Sequence, residues 1–388
     1  MERAAAGRGA TAPATGWALD GGLPEEATFP REELARAAAR VLEGDPRALQ
    51  YGGGDGPRRL RQQVALHLAR RGLCVEPERI LVTAGAAEAL DLAARALLAP
   101  DRPVWLQELT WFGALRIFGR NAGGRLEALP MDGEGLDLDA LERALREVES
   151  GLRQRPAFLY LTTTFQNPTG RTLGEPARRR LADLARRHDL LMLEDDPYGD
   201  LAFDGEPPLP LAALAPERTI LVGTVSKIVA PGLRIGWAVA EPQLLGRLAA
   251  LRPGGETQPF VQELLAAWWE EADLPGRVAA LRRTYRARRD ALLAGLERWL
   301  APRGASWEVP AGGFFVWLRL PVGVDAVRLQ ALAEARGLRY AAGRAFTVDG
   351  HEPGAIRLCF THEREERLEE AAGVLGEVLD RAREAAAV

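Results

Sequence analysis

Lys227 is the only lysine in a chain of 388 residues; the other 49 of its 50 basic residues are arginine. A composition that has moved to arginine wherever arginine will serve keeps a lysine where arginine fails. Arginine holds its proton far above neutrality and cannot attack a carbonyl. A lysine amine can be tuned down and can condense with an aldehyde as a Schiff base. Its setting is Gly223-Thr224-Val225-Ser226-Lys227-Ile228-Val229-Ala230-Pro231-Gly232-Leu233-Arg234. The Thr224 and Ser226 hydroxyls and the forked cation of Arg234, clustered at a turn, are a device for gripping phosphate. A carbonyl-reactive amine beside a phosphate grip points to pyridoxal phosphate (PLP).

The remaining chemistry-bearing residues follow apolar runs that read as strands. Ile80-Leu81-Val82-Thr83 leads into Ala84-Gly85-Ala86-Ala87, which opens a helix running to about Leu98. Small residues at a helix start leave N–H groups and the positive dipole end open to an anion. Val104-Trp105-Leu106 is followed by Trp111, a flat aromatic suited to stacking on a π system. The apolar strand 157–162 delivers Gln166-Asn167-Pro168-Thr169-Gly170, by itself a turn signal. Leu190-Leu191-Met192-Leu193-Glu194 ends in Asp195-Asp196-Pro197-Tyr198, and Thr219-Ile220-Leu221-Val222-Gly223 presents Lys227. Strands alternating with helices from about 79 to 240 predict an α/β sheet of mostly parallel strands. The candidate residues lie just past strand C-terminal ends, where such sheets bind ligands.

Ser226-Lys227 followed by Ala230-Pro231-Gly232-Leu233-Arg234 resembles the cofactor-lysine motif of fold-type I PLP-dependent aminotransferases, class I/II. The subgroup it is most similar to holds 2-aminoadipate and kynurenine aminotransferases and the effector domains of MocR-type regulators. The resemblance runs from Gly21-Gly22-Leu23-Pro24 to Arg357 with its motifs in order. It implies a large domain with a mostly parallel sheet and a smaller α+β domain. The implied boundaries are an N-terminal segment 1–44 joining the small domain, a PLP-binding domain 45–252 and a C-terminal domain 253–388. It also implies roles. Lys227 carries PLP; Asp195 pairs with the ring nitrogen; Asn167 and Tyr198 meet the ring oxygen; Trp111 stacks on the ring. Thr224, Ser226, Arg234 and the helix start at Gly85, Ala86 and Ala87 hold the phosphate, helped by Tyr51 of a neighbouring subunit. Arg357 clamps the substrate carboxylate, with Gly22 and Asn167 close to the substrate. Ala86 and Ala87 stand where many relatives carry a hydroxyl or amide, so the grip there falls to backbone N–H groups. Leu109 stands where relatives often have proline.

Composition bounds the rest. The chain is 47% hydrophobic and 27% charged with a net charge of −4, and its acids and arginines are interspersed, which gives no nucleic-acid footprint. Two cysteines cannot make a disulfide framework, so a reducing cytoplasm is expected. No apolar run reaches membrane-spanning length, and His67, His188, His351 and His362 lack metal-ligand spacing. Residues 1–16 read as a mobile tail and Pro253-Gly254-Gly255 as a linker-like break. The arginines of the helix ending at Arg187, and Arg282, Arg283, Arg286, Arg288 and Arg289 on a helix over 275–302, read as solvated faces. The resulting expectation is an aminotransferase acting on an amino acid and a 2-oxo acid by a ping-pong scheme, in a homodimer. Two alternatives stay open at this point. One is other PLP chemistry on the same scaffold, such as β-elimination from a thio-conjugate, decarboxylation or oxidation. The other is a non-catalytic effector domain, for which the roughly 20 residues before Gly21 leave too little room for a winged helix.

Overall fold

The computed structural model describes residues 16–52, 54–99, 101–121, 125–252, 258–352 and 354–386. The Pro253-Gly254-Gly255 break and all but the last residue of the expected tail lie outside the described residues.

In chain order, β1 (Trp17–Ala18) is followed by α1 (Arg31–Glu43), α2 (Arg58–Arg70), β2 (Ile80–Thr83) and α3 (Ala86–Leu97). Then come β3 (Val104–Gln107), α4 (Phe112–Asn121), β4 (Leu126–Leu129), α5 (Leu138–Glu149), β5 (Phe158–Leu161) and α6 (Glu175–Arg187). Next are β6 (Met192–Asp195), α7 (Leu211–Leu214), β7 (Thr219–Thr224), β8 (Gly236–Val239) and α8 (Pro242–Ala250). The chain continues through α9 (Pro259–Glu271), α10 (Leu274–Trp299), β9 (Ser306–Trp307), β10 (Phe315–Arg319) and α11 (Ala326–Ala335). It closes with β11 (Leu338–Arg339), β12 (Ala341–Ala342), β13 (Ala355–Cys359) and α12 (Glu365–Ala386).

A seven-stranded sheet runs in the order β2-β8-β7-β6-β5-β3-β4. Its strands are parallel except β8, which is antiparallel to both β2 and β7. The central strands are apolar on both faces because both are covered. Ala89, Leu90 and Ala93 of α3, Phe118 of α4 and Leu248 of α8 pack on Phe158, Tyr160, Leu193 and Val222. Leu141 of α5, Leu181 and Leu184 of α6 and Leu211 of α7 pack on Leu159, Leu161 and Met192. The strict alternation of neighbours along β5 and β6 follows the two-residue repeat of a strand. A second, antiparallel sheet has the order β12-β13-β10-β9, and β1 pairs in parallel with β11.

Three sequence expectations change. The helix expected from Ala84 starts at Ala86, because Gly85 takes a φ of +80°, which lies outside helical space. Asp195 is the last residue of β6 rather than a residue beyond it. The arginine-rich faces are not all solvated. Arg178 on α6 is fully buried, and Arg288 and Arg289 on α10 are nearly so. Their guanidiniums satisfy carbonyls inside the fold: Arg178 donates to Leu173 O, Thr163 O and Leu209 O, Arg288 to Thr361 O, and Arg289 to Pro310 O. Periodicity could not separate these from the exposed arginines beside them, since only the tertiary fold brings loop carbonyls over the helix.

Candidate active site

The carboxyl ends of β5, β6 and β7, the start of α3 and the edge of the small sheet enclose a cavity of ≈330 Å³. Two other cavities carry none of the candidate residues: one of ≈760 Å³ lies beside Asp45 and Pro259, and one of ≈420 Å³ beside His67 and Arg282.

Lys227 ends a 3-10 turn, Val225–Lys227, that follows directly on β7. Thr224 caps this turn, accepting from the Ser226 N–H at 3.2 Å, and its hydroxyl lies 2.9 Å from the Ser226 hydroxyl. The Lys227 Nζ donates to the Gly22 carbonyl at 2.8 Å. Burial, together with the nearby Arg357 and Arg234 cations, lowers this amine to about 8, against the opposing pull of Asp195. Gly22 itself is closely approached: a methyl there would sit 3.0 Å from the Phe315 ring, which would have to give way.

The N-terminal strap that brings Gly22 in is pinned along its length. The Asp20 carbonyl accepts from Arg357 at 2.5 Å, the Leu23 carbonyl from the Thr361 hydroxyl at 2.9 Å, and the Thr28 carbonyl from Arg277 at 2.6 Å. Arg277 also donates to the Ile228 carbonyl at 2.7 Å, so α10 ties the strap to the loop of Lys227.

At the start of α3, Ala86 and Ala87 line the cavity with methyls, and the first N–H groups of a helix have no intrahelical acceptor. Arg234 closes this corner. It ends the turn Pro231–Leu233 with φ +52°, a left-handed conformation that a non-glycine residue adopts only at a cost. Its guanidinium donates to the Ala84 carbonyl at 3.2 Å. Gly85 holds a φ of +80°, a conformation that calls for glycine, and a methyl there would also come within 2.7 Å of that guanidinium. Gly85 therefore shapes the corner without lining the cavity.

Asp195 is buried, and its two oxygens differ. Oδ2 accepts the Tyr160 hydroxyl at 2.8 Å; Oδ1 is buried with no hydrogen-bond partner among the described residues. Burial pushes this carboxyl up to about 7, while the Tyr160 hydrogen bond and Lys227 pull it back down. Asp196 turns elsewhere, onto Arg71 at 2.5 Å.

Arg357 lies in the middle of β13, fully buried. Its guanidinium carbon is 4.1 Å from the Phe315 ring centroid and 4.9 Å from that of Phe346. It donates to Asn167 Oδ1 at 2.9 Å, while its Nε is buried with no hydrogen-bond partner among the described residues. With Asn167 Oδ1 so engaged, the amide nitrogen is left as the donor of this cavity-lining side chain. Tyr198 packs its ring on Phe314 and Phe315, and burial holds its hydroxyl well above the ordinary tyrosine range despite Arg357, so it stays protonated. Trp111 lies over Gly113, where a methyl would be 2.2 Å from the indole.

Of the expected site residues, all but two line this one cavity. The exceptions are Gly85, one residue behind it, and Tyr51, which is 94% exposed. Sequence reasoning missed Thr162, which lines the cavity, Tyr160 against Asp195, and the Phe315 and Phe346 rings that flank Arg357. Tyr160 carried one signal: a hydroxyl within the otherwise apolar run Phe158–Leu161, next to the strand that ends in Asp195.

Residues 21–375 match the family Aminotransferase class I and II. The chain is 38% identical over 371 residues to a 2-aminoadipate transaminase of Thermus thermophilus, covering 92% of this chain and 89% of that protein. It is 36% identical over 366 residues to aromatic-amino-acid aminotransferase 1 of Thermococcus litoralis, covering 93% and 87%. The crystal structure of LysN, an alpha-aminoadipate aminotransferase of Thermus thermophilus complexed with N-(5'-phosphopyridoxyl)-L-leucine, aligns with a TM-score of 0.88 at 36% identity, covering 95% of this chain and 93% of that one. The chain belongs to the class I and II aminotransferases. It is thus a PLP-dependent transferase of fold type I.

The site of this aminotransferase fits that cofactor on its own evidence. A buried carboxylate oxygen without a partner suits a ring N–H, a helix start with Arg234 suits a phosphate, and the amine of Lys227 opens on the same cavity.

Proposed function

We propose that the chain transfers an amino group between an amino acid and a 2-oxo acid in two half-reactions, with Lys227 as the catalytic amine. The observation that carries this reading is the pairing, in one cavity, of the sole lysine with a buried carboxylate that keeps one oxygen free. Lys227 holds the cofactor. Arg234, Ser226, Thr224 and the α3 N–H groups hold its phosphate, while Asp195, Asn167, Tyr198 and Trp111 hold its ring. Bound there, PLP supplies an electron sink that acidifies the substrate α-C–H. Arg357 takes the substrate carboxylate, a match for which the planar guanidinium is built. The Lys227 amine, lowered to about 8, is close enough to neutrality to take the α-proton and to return it. Donors of the class named in its relatives, aromatic amino acids and 2-aminoadipate, are the first to try.

We infer further that two copies share the site. Tyr51, almost wholly exposed on a single copy, would serve the phosphate of its neighbour. A hybrid of Tyr51→Phe and Lys227→Ala subunits tests this, since all defects then fall on one of the two sites.

Borohydride treatment of the PLP-loaded enzyme should leave a pyridoxyl adduct on Lys227, and mass detection across an amino-acid panel should find 2-oxo acids. An adduct elsewhere, or products only of elimination or decarboxylation, would reject the reading.

A further inference from the structure

We propose that Tyr160 is a positioning residue of the reaction: its hydroxyl occupies one oxygen of Asp195 so that the other faces the cofactor ring nitrogen. This rests on the reading of Asp195 as that nitrogen's partner.

The geometry is specific. Tyr160 lies on β5 next to β6, with its ring held edge-on against Phe118 at 5.0 Å between centroids and against the packed face under α4. Its hydroxyl is buried and has little freedom to seek another acceptor. It donates to Asp195 Oδ2 at 2.8 Å, leaving Oδ1 as the one acceptor of that carboxylate without a partner. Thr162, two residues on in the chain, lines the cavity itself. Burial and the adjacent carboxylate keep the phenol protonated, so it remains a donor throughout. A carboxylate held at one oxygen cannot rotate away from the ring. The bond from Tyr160 also favours the charged form, against the burial that pushes this carboxyl up. Tyr160 therefore supports the negative charge that keeps the ring nitrogen protonated, without touching substrate.

The test compares PLP with its analogue carrying carbon in place of the ring nitrogen, each titrated into full-length apoprotein and followed by quenching of tryptophan fluorescence. Wild type should prefer PLP. Tyr160→Phe should shrink that preference by about tenfold, roughly the worth of one hydrogen bond to a charged group. It should do so by weakening PLP while leaving the analogue unchanged. The acid limb of its kcat profile should move to higher pH. If Tyr160→Phe keeps the full preference, or weakens both cofactors equally, the residue is only packing and the proposal is overturned. If wild type itself shows no preference, the assignment of Asp195 fails first and Tyr160 falls with it. If the Tyr160→Phe chain does not fold, as judged by its thermal unfolding curve, Tyr160→Leu, which also lacks the hydroxyl that Asp195 accepts, carries the test. A preference reduced by about tenfold supports the proposal, and an unchanged one overturns it.

Discussion

Strand β6 carries two adjacent carboxylates with opposite fates. Glu194 enters one face of the sheet and Asp195 the other, as strand alternation requires. On its face Glu194 is sealed. It accepts from the Thr163 hydroxyl at 2.7 Å and the Ala212 N–H at 3.2 Å, and Arg178 lies 3.6 Å away. The Arg178 guanidinium is equally closed, with Nε and both terminal nitrogens engaged. Asp195 has one oxygen engaged and one open, facing a cavity that also holds the chain's only lysine. Burial of charge is common to both places. Closed hydrogen bonding makes the first a structural strut, and an open acceptor makes the second a site.

The largest break in this contrast comes from Lys227→Arg. It keeps a cation in the cavity but removes an amine that can lose its proton. Turnover should fall by about 10²–10⁴-fold, read as kcat with the best donor. On the other face Arg178→Met leaves Glu194 buried and without its cation. Urea unfolding of the apoprotein should show a loss of about 3 kcal/mol, while KM in the folded fraction stays unchanged. Arg357→Lys keeps charge and loses the planar fork; KM for the amino acid should rise about 10- to 100-fold, more than kcat falls.

The subtlest effect reverses sign. Lys227 is lowered from an ordinary 10.5 to about 8, chiefly by burial. Below pH 8 both the folded and unfolded chains hold the proton, and the fold bears the full cost of the buried charge. Between pH 8 and 10.5 the unfolded chain binds the proton that the fold has released, so apoprotein stability rises with pH. Lys227→Met should therefore stabilise the apoprotein at pH 7 by on the order of 2 kcal/mol, a gain that fades across pH 8 to 10.5. A site residue whose removal strengthens the fold, opposite a strut whose removal weakens it, would be the sharpest form of the comparison.

Much of this site was legible in the chain because each piece hangs from a strand. An apolar run that ends in Asp195-Asp196-Pro197-Tyr198 or in Asn167-Pro168 declares both its burial and its exit. Tyr160 and the buried arginines were not legible. Tyr160 looks like one more apolar strand residue until β5 and β6 are aligned, and Arg178 looks like its exposed neighbours Arg179 and Arg180 until loop carbonyls close over it. The register of neighbouring strands and the path of distant loops are properties of the fold, and no local spacing encodes them.

The family came from the resemblance of motifs in order; composition and local order by themselves determined the amine at 227 and the α/β alternation. Those depend on residue type and on periods of two and 3.6, which are written along the chain. Tertiary structure alone decided that Asp195 takes the Tyr160 hydroxyl while Asp196 takes Arg71, which arginines are struts, and that the Gly22 and Asp20 carbonyls meet Lys227 and Arg357. The aspartate and carbonyl outcomes turn on partners 35 to 337 residues away in sequence, and a hydrogen bond is satisfied in space, not along the chain.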